Sequence, residues 1–562
     1  MKNIYLLLKQ IILLFHLTFT GSVLLAQPFH QWEVITLSFE AGRNYSNPYV
    51  SIPVDGSMDL LTVSFKGIDG EAEGKEITLT GFWDGENLWR VNFAAPVTGT
   101  WQYSTISRDR KMNQKTGTIE VIAWSEEELV SNPTRNGPVR VKKEGKTAGH
   151  YFEYDSGKPF LWIGDTWWSW TKRSIHFETY QGLVNDRTEK GFTVGQLFVP
   201  GNSNRESSIL DSTYSILDIS HMRHVENMIR YANSKGITVW IHGWWSRSGI
   251  NKSIGEEKIK RWWRYLVHRL GAYNVLWVLA GEYNMFNNGG FNLEFWKDLG
   301  QMLNNEDPYQ HIISLHNTPP FWSGGADAPQ WSTGEILHNE RWLDYNQSQV
   351  GHGRYANEMI PIVIAEEYKR KPPKPIVITE PWYEFVEGNP TGRDIRLAAW
   401  GSILSGAAGH TYGGGHIWRG HLPESPANRG AWPLEESFDR NTYDYEGAVS
   451  MANLVSLFKD IAWWEMEPRP DLVLDYPQPF CLANPGKEYI LYLRYGGIIK
   501  LQMDRESAEN FYTYFWYDPS KGKRYETRKI QGNEVLNFRC PELYPGTEKF
   551  RDWVLYIKRE QF

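Results

Sequence analysis

The sequence predicts an α/β fold class: a (β/α)8 barrel flanked by an N-terminal and a C-terminal β-sandwich. Three observations lead to this prediction. From residue 138 to residue 465, apolar strand-like runs alternate with amphipathic helical stretches, which is typical of repeated βα units. On both sides of this region the pattern changes to short alternating runs separated by Gly, Pro, Asn and Asp, which is typical of β-sandwiches. The chain of 562 residues is long enough for three such domains.

Composition and charge narrow the class of protein. The chain has 59 Lys and Arg against 66 Asp and Glu, a net charge of −7, so it lacks the basic field that binds nucleic-acid phosphates. Aromatic residues make up 15%, with 27 Trp, 30 Tyr and 25 Phe. Flat aromatic faces stack on the C–H faces of sugar rings. The composition therefore favours a carbohydrate partner and argues against nucleic acid.

Residues 1–26 read as a signal peptide. Lys2 and Lys9 precede an apolar stretch from Ile11 to Phe19, and small and apolar residues follow up to Ala26. This order is typical of secretory signals, and an uncleaved anchor helix is the alternative. No cysteine begins the mature chain, so no lipid anchor is indicated. We expect a secreted or periplasmic protein without a membrane anchor.

The N-terminal β-sandwich is predicted over residues 27–125. Asp84 and Gly85 lie between two aromatic-flanked runs and predict a hairpin turn. A linker follows over residues 126–137, where Asn-Pro and Gly-Pro pairs interrupt regular structure. The clearest strand candidates are Leu61–Phe65, Ile77–Phe82, Leu88–Phe93 and Thr100–Thr105.

The barrel is predicted over residues 138–465. Helix candidates between the strands include Ser220–Ser234, Glu256–Leu270 and Arg393–Leu404. In such a barrel the active site lies at the carboxyl ends of the strands. The eight strand candidates are Phe160–Asp165, Phe192–Val199, Ile237–Gly243, Val275–Glu282, His311–Asn317, Trp342–Gln349, Pro375–Glu380 and Ala407–Gly413.

The second β-sandwich is predicted over residues 466–562. Its strand candidates are Tyr489–Tyr495, Phe511–Tyr517 and Trp553–Lys558. The two cysteines of the chain, Cys481 and Cys540, both lie in this region. They form either one disulfide or two buried free thiols.

Two glutamates terminate buried strands. Glu282 follows the run VLWVLAG, and Glu380 follows PIVIT. Their separation of 380 − 282 = 98 residues corresponds to about three βα units of roughly thirty residues each, so they belong to strands four and seven and face one pocket. Glycosidic bond cleavage uses two carboxyl groups, one as proton donor and one to attack or stabilise the anomeric carbon. The sequence therefore predicts Glu282 and Glu380 as catalytic residues.

Other residues at the strand ends are candidates for reading sugar hydroxyls or stacking on the sugar. The histidine pairs in the sequence lack the spacing of a known metal site, so we expect neither a metal nor another cofactor. The predicted substrate-binding residues of this kind are Asp165, Trp167, His242, His316, His352, Tyr412 and Trp418.

Five segments resemble the apiosidase-like (β/α)8 glycoside hydrolases, which comprise glycoside hydrolase family 140 and many uncharacterised relatives. The segment around FWDGENLWRVNFAAPVTGTWQY looks like the β-sandwich that precedes such barrels, and the tail around WYDPSKGK resembles their C-terminal β-sandwich. The five segments are FLWIGDTWW (Phe160–Trp168), RYLVHRLGAYNVLWVLAGEYN (Arg264–Asn284), LDYNQSQVGH (Leu343–His352), PIVITEPWYE (Pro375–Glu384) and SGAAGHTYGGGHIW (Ser405–Trp418).

The resemblance implies an acid/base at strand four and a nucleophile at strand seven, which correspond to Glu282 and Glu380. The apiosidase pattern has Asp where this chain has Glu282, and related glycosidases carry Asn where it has Gly281. We therefore expect a different sugar or linkage. We also expect His242 or Asn284 to read the neighbouring hydroxyl.

The sequence thus predicts a secreted glycoside hydrolase that acts on a plant or algal polysaccharide or oligosaccharide, exo-acting and retaining, with no cofactor. Two other functions stay open. One is a carbohydrate-binding protein with a degenerate barrel. The other is a polysaccharide lyase with His242 or Tyr283 as base. The oligomeric state, the sugar and the linkage are not determined by the sequence.

Overall fold

The structure is a computed structural model that describes residues 28–54, 59–201, 206–245, 254–285, 291–322, 330–388, 390–420, 440–503, 508–542 and 551–560. The predicted signal peptide lies outside these residues. Within the described part of the chain, no helix combines the length and the apolar character needed to cross a bilayer.

Eight parallel strands form a nearly closed barrel, as predicted. Every residue of seven of these strands is buried, and strand two has one partly buried residue, because helices cover the outer face and side chains fill the interior. Strands one to eight are Trp162–Trp167, Val194–Phe198, Thr238–His242, Val275–Val278, Ile313–Ser314, Asn346–Gln349, Ile376–Glu380 and Gly409–Tyr412.

Among the described residues, strand pairing joins every neighbouring pair of barrel strands except strands five and six. Side chains join these two strands instead. The Ser314 hydroxyl donates to the Tyr345 carbonyl at 2.8 Å, and the backbone N–H of Gln349 donates to Asn317 Oδ1 at 3.2 Å. This seam lies beside the carboxyl ends of the strands that carry the candidate site.

Helices cover the barrel, and polar side chains mark several of their starts. Asp218 accepts from the His221 N–H at the start of the third helix, and Thr391 and Asp394 form a reciprocal capping box before the eighth. The helices from the linker onwards are Glu126–Ser131, Phe177–Glu189, Ile219–Ser234, Glu256–Leu270, Leu293–Glu306, Gly334–Leu337, Arg354–Tyr368, Gly392–Leu404, Gly415–Arg419 and Glu446–Phe458.

A small antiparallel sheet precedes the first barrel strand. It consists of Val139–Val141, Phe152–Tyr154 and Pro159–Phe160. Phe152 packs against Trp162 and Tyr345, with ring centroids 5.8 and 5.6 Å apart. The sheet therefore packs on aromatic side chains of the barrel interior.

Two sheets form the N-terminal region. The rings of Phe65 and Phe93, one from each sheet, stack at 3.9 Å and join the two layers into one core. The predicted hairpin is present, since Asp84 and Gly85 lie between two paired strands. The first sheet is Phe29–His30, Thr116–Ile122, Gly99–Ser107, Leu61–Gly67 and Glu76–Thr80, and the second is Val34–Glu40, Leu88–Ala94 and Phe82–Trp83.

A buried ion cluster fixes this N-terminal region to the barrel. The Asp84 carboxylate is fully buried and pairs with Arg90, Arg223 and Arg269 at 2.7 to 3.1 Å. Arg223 and Arg269 belong to barrel helices. The turn residue therefore holds two domains together.

The C-terminal region also contains two sheets, one of which packs on the barrel helices through stacked rings of Trp400 and Tyr492. Cys481 and Cys540 are buried and free. Of the two alternatives, a disulfide or two free thiols, the structure therefore has the free thiols. One sheet is Glu467–Pro468, Phe480–Asn484, Glu488–Leu493, Trp553–Arg559, Phe511–Asp518, Lys523–Arg524 and Arg528–Gln531, and the other is Val473–Leu474, Ile498–Gln502 and Val535–Arg539.

Candidate active site

Both predicted glutamates lie at the carboxyl-end face of the barrel. Glu380 is the last residue of strand seven. Glu282 lies four residues beyond strand four, with a backbone φ of 49°. This left-handed conformation is unfavourable for a residue with a side chain, so the surrounding structure has to hold Glu282 in place.

Two histidines bind the Glu380 carboxylate. His316 Nε2 lies 3.0 Å from Oε2, and His352 Nε2 lies 3.2 Å from Oε1. Glu380 is only 6% exposed. Burial alone acts to raise its pKa, but the hydrogen bonds and charges of the two imidazoles lower the pKa of Glu380 to about 2. Glu380 is therefore held as a carboxylate at neutral pH.

The Glu282 carboxyl group has the opposite electrostatic environment. Trp245 Nε1 donates to its Oε2 at 3.0 Å, and Gln349 Nε2 donates to its Oε1 at 3.3 Å. Burial raises the pKa of Glu282, and the charge of Glu380 raises it further, against a smaller opposing effect of His316 and the two donors. The site therefore contains one carboxyl group that is held ionised and one whose pKa is raised above its ordinary value.

His316 is itself held by two barrel strands. Its ring is fully buried, and its Nδ1 lies 3.2 Å from both Gln347 Oε1 and Thr379 Oγ1. Thr379 immediately precedes Glu380. The imidazole is thus fixed between strands six and seven and presents Nε2 to the carboxylate.

Tyr383 borders His352, and Trp418 lies beyond Tyr383. The Tyr383 ring lies 4.5 Å from the His352 ring, and its hydroxyl interacts with Glu380 and accepts from Trp168 Nε1 at 3.2 Å. Trp418 is partly exposed, 6.5 Å from Tyr383. The sequence analysis placed Trp418 beside the sugar, and the structure places it at the edge of the same group of residues.

Aromatic rings form the wall next to the two glutamates. Trp168 lies 4.6 Å from His242 and 5.2 Å from Trp245, and His242 lies 4.4 Å from Trp240 and 5.3 Å from His316. These edge-to-face contacts are favourable for aromatic pairs. The wall is contiguous from strand one to the loop after strand three.

His242 lies inside this wall without exposed surface. Within the described part of the chain neither ring nitrogen has a hydrogen-bond partner. Burial, with the nearby His316, holds the pKa of His242 well below its usual range. Tyr283, the other candidate base for a lyase, is buried and donates to Gln330 Oε1 at 2.9 Å. Both are therefore enclosed by protein.

Asn284 lies just beyond Glu282 and faces the loop after strand five. Its Oδ1 accepts from the Thr318 N–H at 2.8 Å, whereas its buried Nδ2 has no hydrogen-bond partner among the described residues. Its role in reading a sugar hydroxyl stays a prediction.

Three predicted substrate contacts lie elsewhere. Asp165 is fully buried, and its oxygens accept from Arg187 Nε at 2.7 Å, Trp167 Nε1 at 2.9 Å and the Thr166 N–H at 2.8 Å. Trp167 is also fully buried, and the buried Tyr412 hydroxyl donates to Glu384 Oε2 at 2.7 Å. Protein partners use the polar atoms of Asp165 and Tyr412 and enclose all three side chains, so the sugar contact of these three residues stays a prediction.

Three further residues of the site carry a strand-end signal in the sequence. Gln349 ends strand six, and Trp245 follows the predicted strand Ile237–Gly243 by two residues; the sequence places them among the residues that could read sugar hydroxyls and wall the sugar. Tyr383, three residues after Glu380 within PIVITEPWYE, was not singled out. The fold of the loop after strand three brings the Trp245 indole to Glu282. Among the described residues, no three His, Cys, Asp or Glu side chains are grouped as metal ligands.

Comparison with protein families gives three matches. Residues 146–465 match the apiosidase-like catalytic domain. Residues 28–108 match a domain of unknown function, DUF5060, and residues 475–558 match the putative collagen-binding domain of a collagenase. No curated protein sequence matches the chain.

Solved structures with the same fold include two from Bacteroides vulgatus. A putative glycoside hydrolase has a TM-score of 0.70 at 18% identity, with coverage of 95% of this chain and 100% of its own. A glycoside hydrolase family 5 protein has a TM-score of 0.63 at 20% identity, with coverage of 76% of this chain and 95% of its own. At these identities the likeness establishes the fold.

The family match spans more than half of the chain, including both glutamates and the residues that bind them. It confirms the predicted resemblance at the level of the apiosidase-like group, while family 140 itself stays a prediction. The chain therefore belongs to the apiosidase-like family and is a glycoside hydrolase with flanking β-rich domains.

Proposed function

We propose that this glycoside hydrolase retains anomeric configuration, with Glu380 as nucleophile and Glu282 as acid/base. The observation that carries the proposal is the opposite perturbation of the two groups. Two imidazoles lower the pKa of Glu380 to about 2, while burial and the Glu380 charge raise the pKa of Glu282. Paired carboxyl groups with separated pKa values suit one nucleophile and one proton donor.

In the first step a Glu380 oxygen forms a bond to the anomeric carbon as the bond to the leaving oxygen breaks. Glu282 gives its proton to that oxygen. The covalent ester removes the charge of Glu380, so the pKa of Glu282 falls. Glu282 then takes a proton from water, the water oxygen attacks the anomeric carbon, and Glu380 leaves as a carboxylate.

The spacing of the two carboxyl groups distinguishes retention from inversion. Retaining pairs have carboxyl groups separated by about 5 to 5.5 Å, and inverting pairs by roughly 6.5 to 9.5 Å. The Glu380 charge acts on Glu282, so the two groups interact, and we propose the shorter spacing. Proton NMR of the first-formed anomer during hydrolysis tests this choice directly.

We further propose that the substrate is a plant or algal polysaccharide or oligosaccharide, cleaved from a chain end by an exported enzyme. The support is the aromatic content of the site and the signal-like sequence of residues 1–26. The test is incubation of wild type and Glu380→Ala with a panel of such polysaccharides, followed by sugar analysis and mass spectrometry. We expect one monosaccharide from wild type alone, and longer products would contradict the exo mode.

The role of Glu282 is tested by its leaving-group dependence. Glu282→Gln is expected to lower kcat/KM about 10²- to 10⁴-fold on natural glycosides. The loss is expected to be much smaller on a 4-nitrophenyl glycoside, whose leaving group needs no protonation. An equal loss on both substrates would contradict the acid role.

A further inference from the structure

Three aromatic side chains are exposed beside the candidate active site. Phe321 is 47% exposed and Trp322 is 52% exposed, in the loop that follows strand five. Tyr355 is 39% exposed, in the first turn of the helix that follows strand six. We call these three residues the rim platform. They lie at the carboxyl-end face of the barrel, as the two glutamates do.

The rim platform is a packed group. The Phe321 and Tyr355 rings meet edge to face at 5.2 Å, and Phe321 lies 6.3 Å from both Trp322 and Trp331. The Phe321 and Tyr355 rings also pack over Gly351, where an added Cβ would lie 2.6 Å from the Tyr355 hydroxyl and 3.1 Å from Phe321. The close packing holds these rings in defined positions.

The platform is continuous with the groups that bind the glutamates. Gly351 immediately precedes His352, whose imidazole binds Glu380. In the other loop, Thr318 binds Asn284 through its N–H and lies three residues before Phe321. The platform therefore begins where the polar lining of the site ends.

Water-exposed aromatic surface is costly, and a cluster of it on a soluble protein usually marks a binding surface. Aromatic faces bordered by polar groups fit the alternating C–H faces and hydroxyls of sugars. Glu387, in the loop after strand seven, supplies a carboxylate at the border of the rim platform. Burial and this carboxylate together raise the pKa of Tyr355 to about 12. Continuity with the active site favours the substrate itself as the occupant.

We propose that the rim platform is a subsite that binds sugar residues of the substrate chain beyond the two joined by the cleaved bond. The substrate class is then an oligosaccharide or polysaccharide chain, and small aryl glycosides leave the platform unused. This inference rests on the proposed function, because the platform acts only if Glu282 and Glu380 cleave a glycosidic bond.

The test compares two substrates of the sugar identified in the product assay. One is its 4-nitrophenyl glycoside, and the other is a set of oligosaccharides of two to five sugars prepared from the same polysaccharide. Trp322→Ala is expected to raise KM for the longer oligosaccharides about three- to tenfold, because one aromatic contact with the sugar is lost. Its kinetics on the 4-nitrophenyl glycoside are expected to match wild type.

Matched variants separate a subsite from a structural role. Trp322→Phe keeps a ring and is expected to restore most of the affinity, and Tyr355→Ala is expected to act in the same direction. Tyr495→Ala removes a ring of the C-terminal region that is as exposed as Tyr355, and it is expected to leave KM unchanged for both substrates. An equal KM change on both substrates, or no change on oligosaccharides, would overturn the proposal.

The proposed function fails in a different way. If wild type releases no sugar from any polysaccharide of the panel, the assigned glycosidase roles are contradicted before the platform is tested. In that case calorimetry measures the binding of oligosaccharides prepared from the panel polysaccharides to wild type and to Trp322→Ala. Equal affinities would then overturn the platform as well, and weaker binding by the variant would support it.

Discussion

The Nε2 atom of His316 lies 3.0 Å from Oε2 of Glu380, and the other nitrogen of the same ring faces Gln347 and Thr379. A buried histidine thus connects the end of strand seven to strand six. Together with His352 it determines the ionisation of Glu380, because hydrogen bonds to a carboxylate favour its charged form. This contact gives the first prediction.

His316→Ala is expected to lower kcat/KM about 10²-fold, since the carboxylate loses the group that orients it. The pKa of Glu380 then rises, so the acid limb of the pH profile moves to higher pH. His316 also lowers the pKa of Glu282, and the basic limb therefore moves upward too. A pH profile of kcat/KM measures both limbs, and unchanged limbs with reduced activity would show a merely structural role.

Trp245→Phe is expected to move only the basic limb. The indole N–H stabilises the ionised form of Glu282, so its removal raises the pKa of Glu282. A hydrogen bond to a charged group is worth about 1.5 kcal/mol, or roughly one pH unit. Activity should persist to higher pH, and Gln349→Met should act in the same direction. A downward shift of the basic limb in either variant would contradict the assignment.

His242→Leu is expected to yield a more stable but less active protein. Neither nitrogen of this buried imidazole has a hydrogen-bond partner among the residues that the structure describes. An apolar side chain removes the desolvation cost of about 1 to 3 kcal/mol. Urea unfolding should show the gain, and kcat/KM should fall if the ring contributes to sugar binding. Reduced stability would show that the imidazole has a partner in solution.

Asp84→Ala is expected to destabilise the contact between the N-terminal region and the barrel. Three guanidinium groups converge on this buried carboxylate. Its removal leaves the buried Arg269 with Glu226 as carboxylate partner, and a lost hydrogen bond to a charged group costs about 1.5 to 3 kcal/mol. Thermal unfolding should show a lower Tm. Lys66→Ala, which breaks an exposed pair with Glu76, is the matched control and should have little effect. Equal Tm values for the two variants would contradict the role of the cluster.

The sequence was sufficient for much of the fold because its periodicities are local. Most buried strands read as apolar runs, strands six and eight being polar, and all eight predicted barrel strands overlap the observed ones. Glu282 and Glu380 were found for the same reason, as the first ionisable residues after such runs. The aromatic-flanked turn at Asp84 was also predicted, but its ion cluster was not, since the partners come from distant helices.

Only the tertiary structure decided which strand-end residues share one site. Asp165 and Tyr412 end barrel strands, yet their side chains bind Arg187 and Glu384 within the protein. Trp245 reaches Glu282 across 37 residues. Sequence position indicates that a residue lies at the carboxyl-end face of the barrel. Barrel closure and loop packing set the direction of each side chain, and these depend on contacts between residues far apart in the chain.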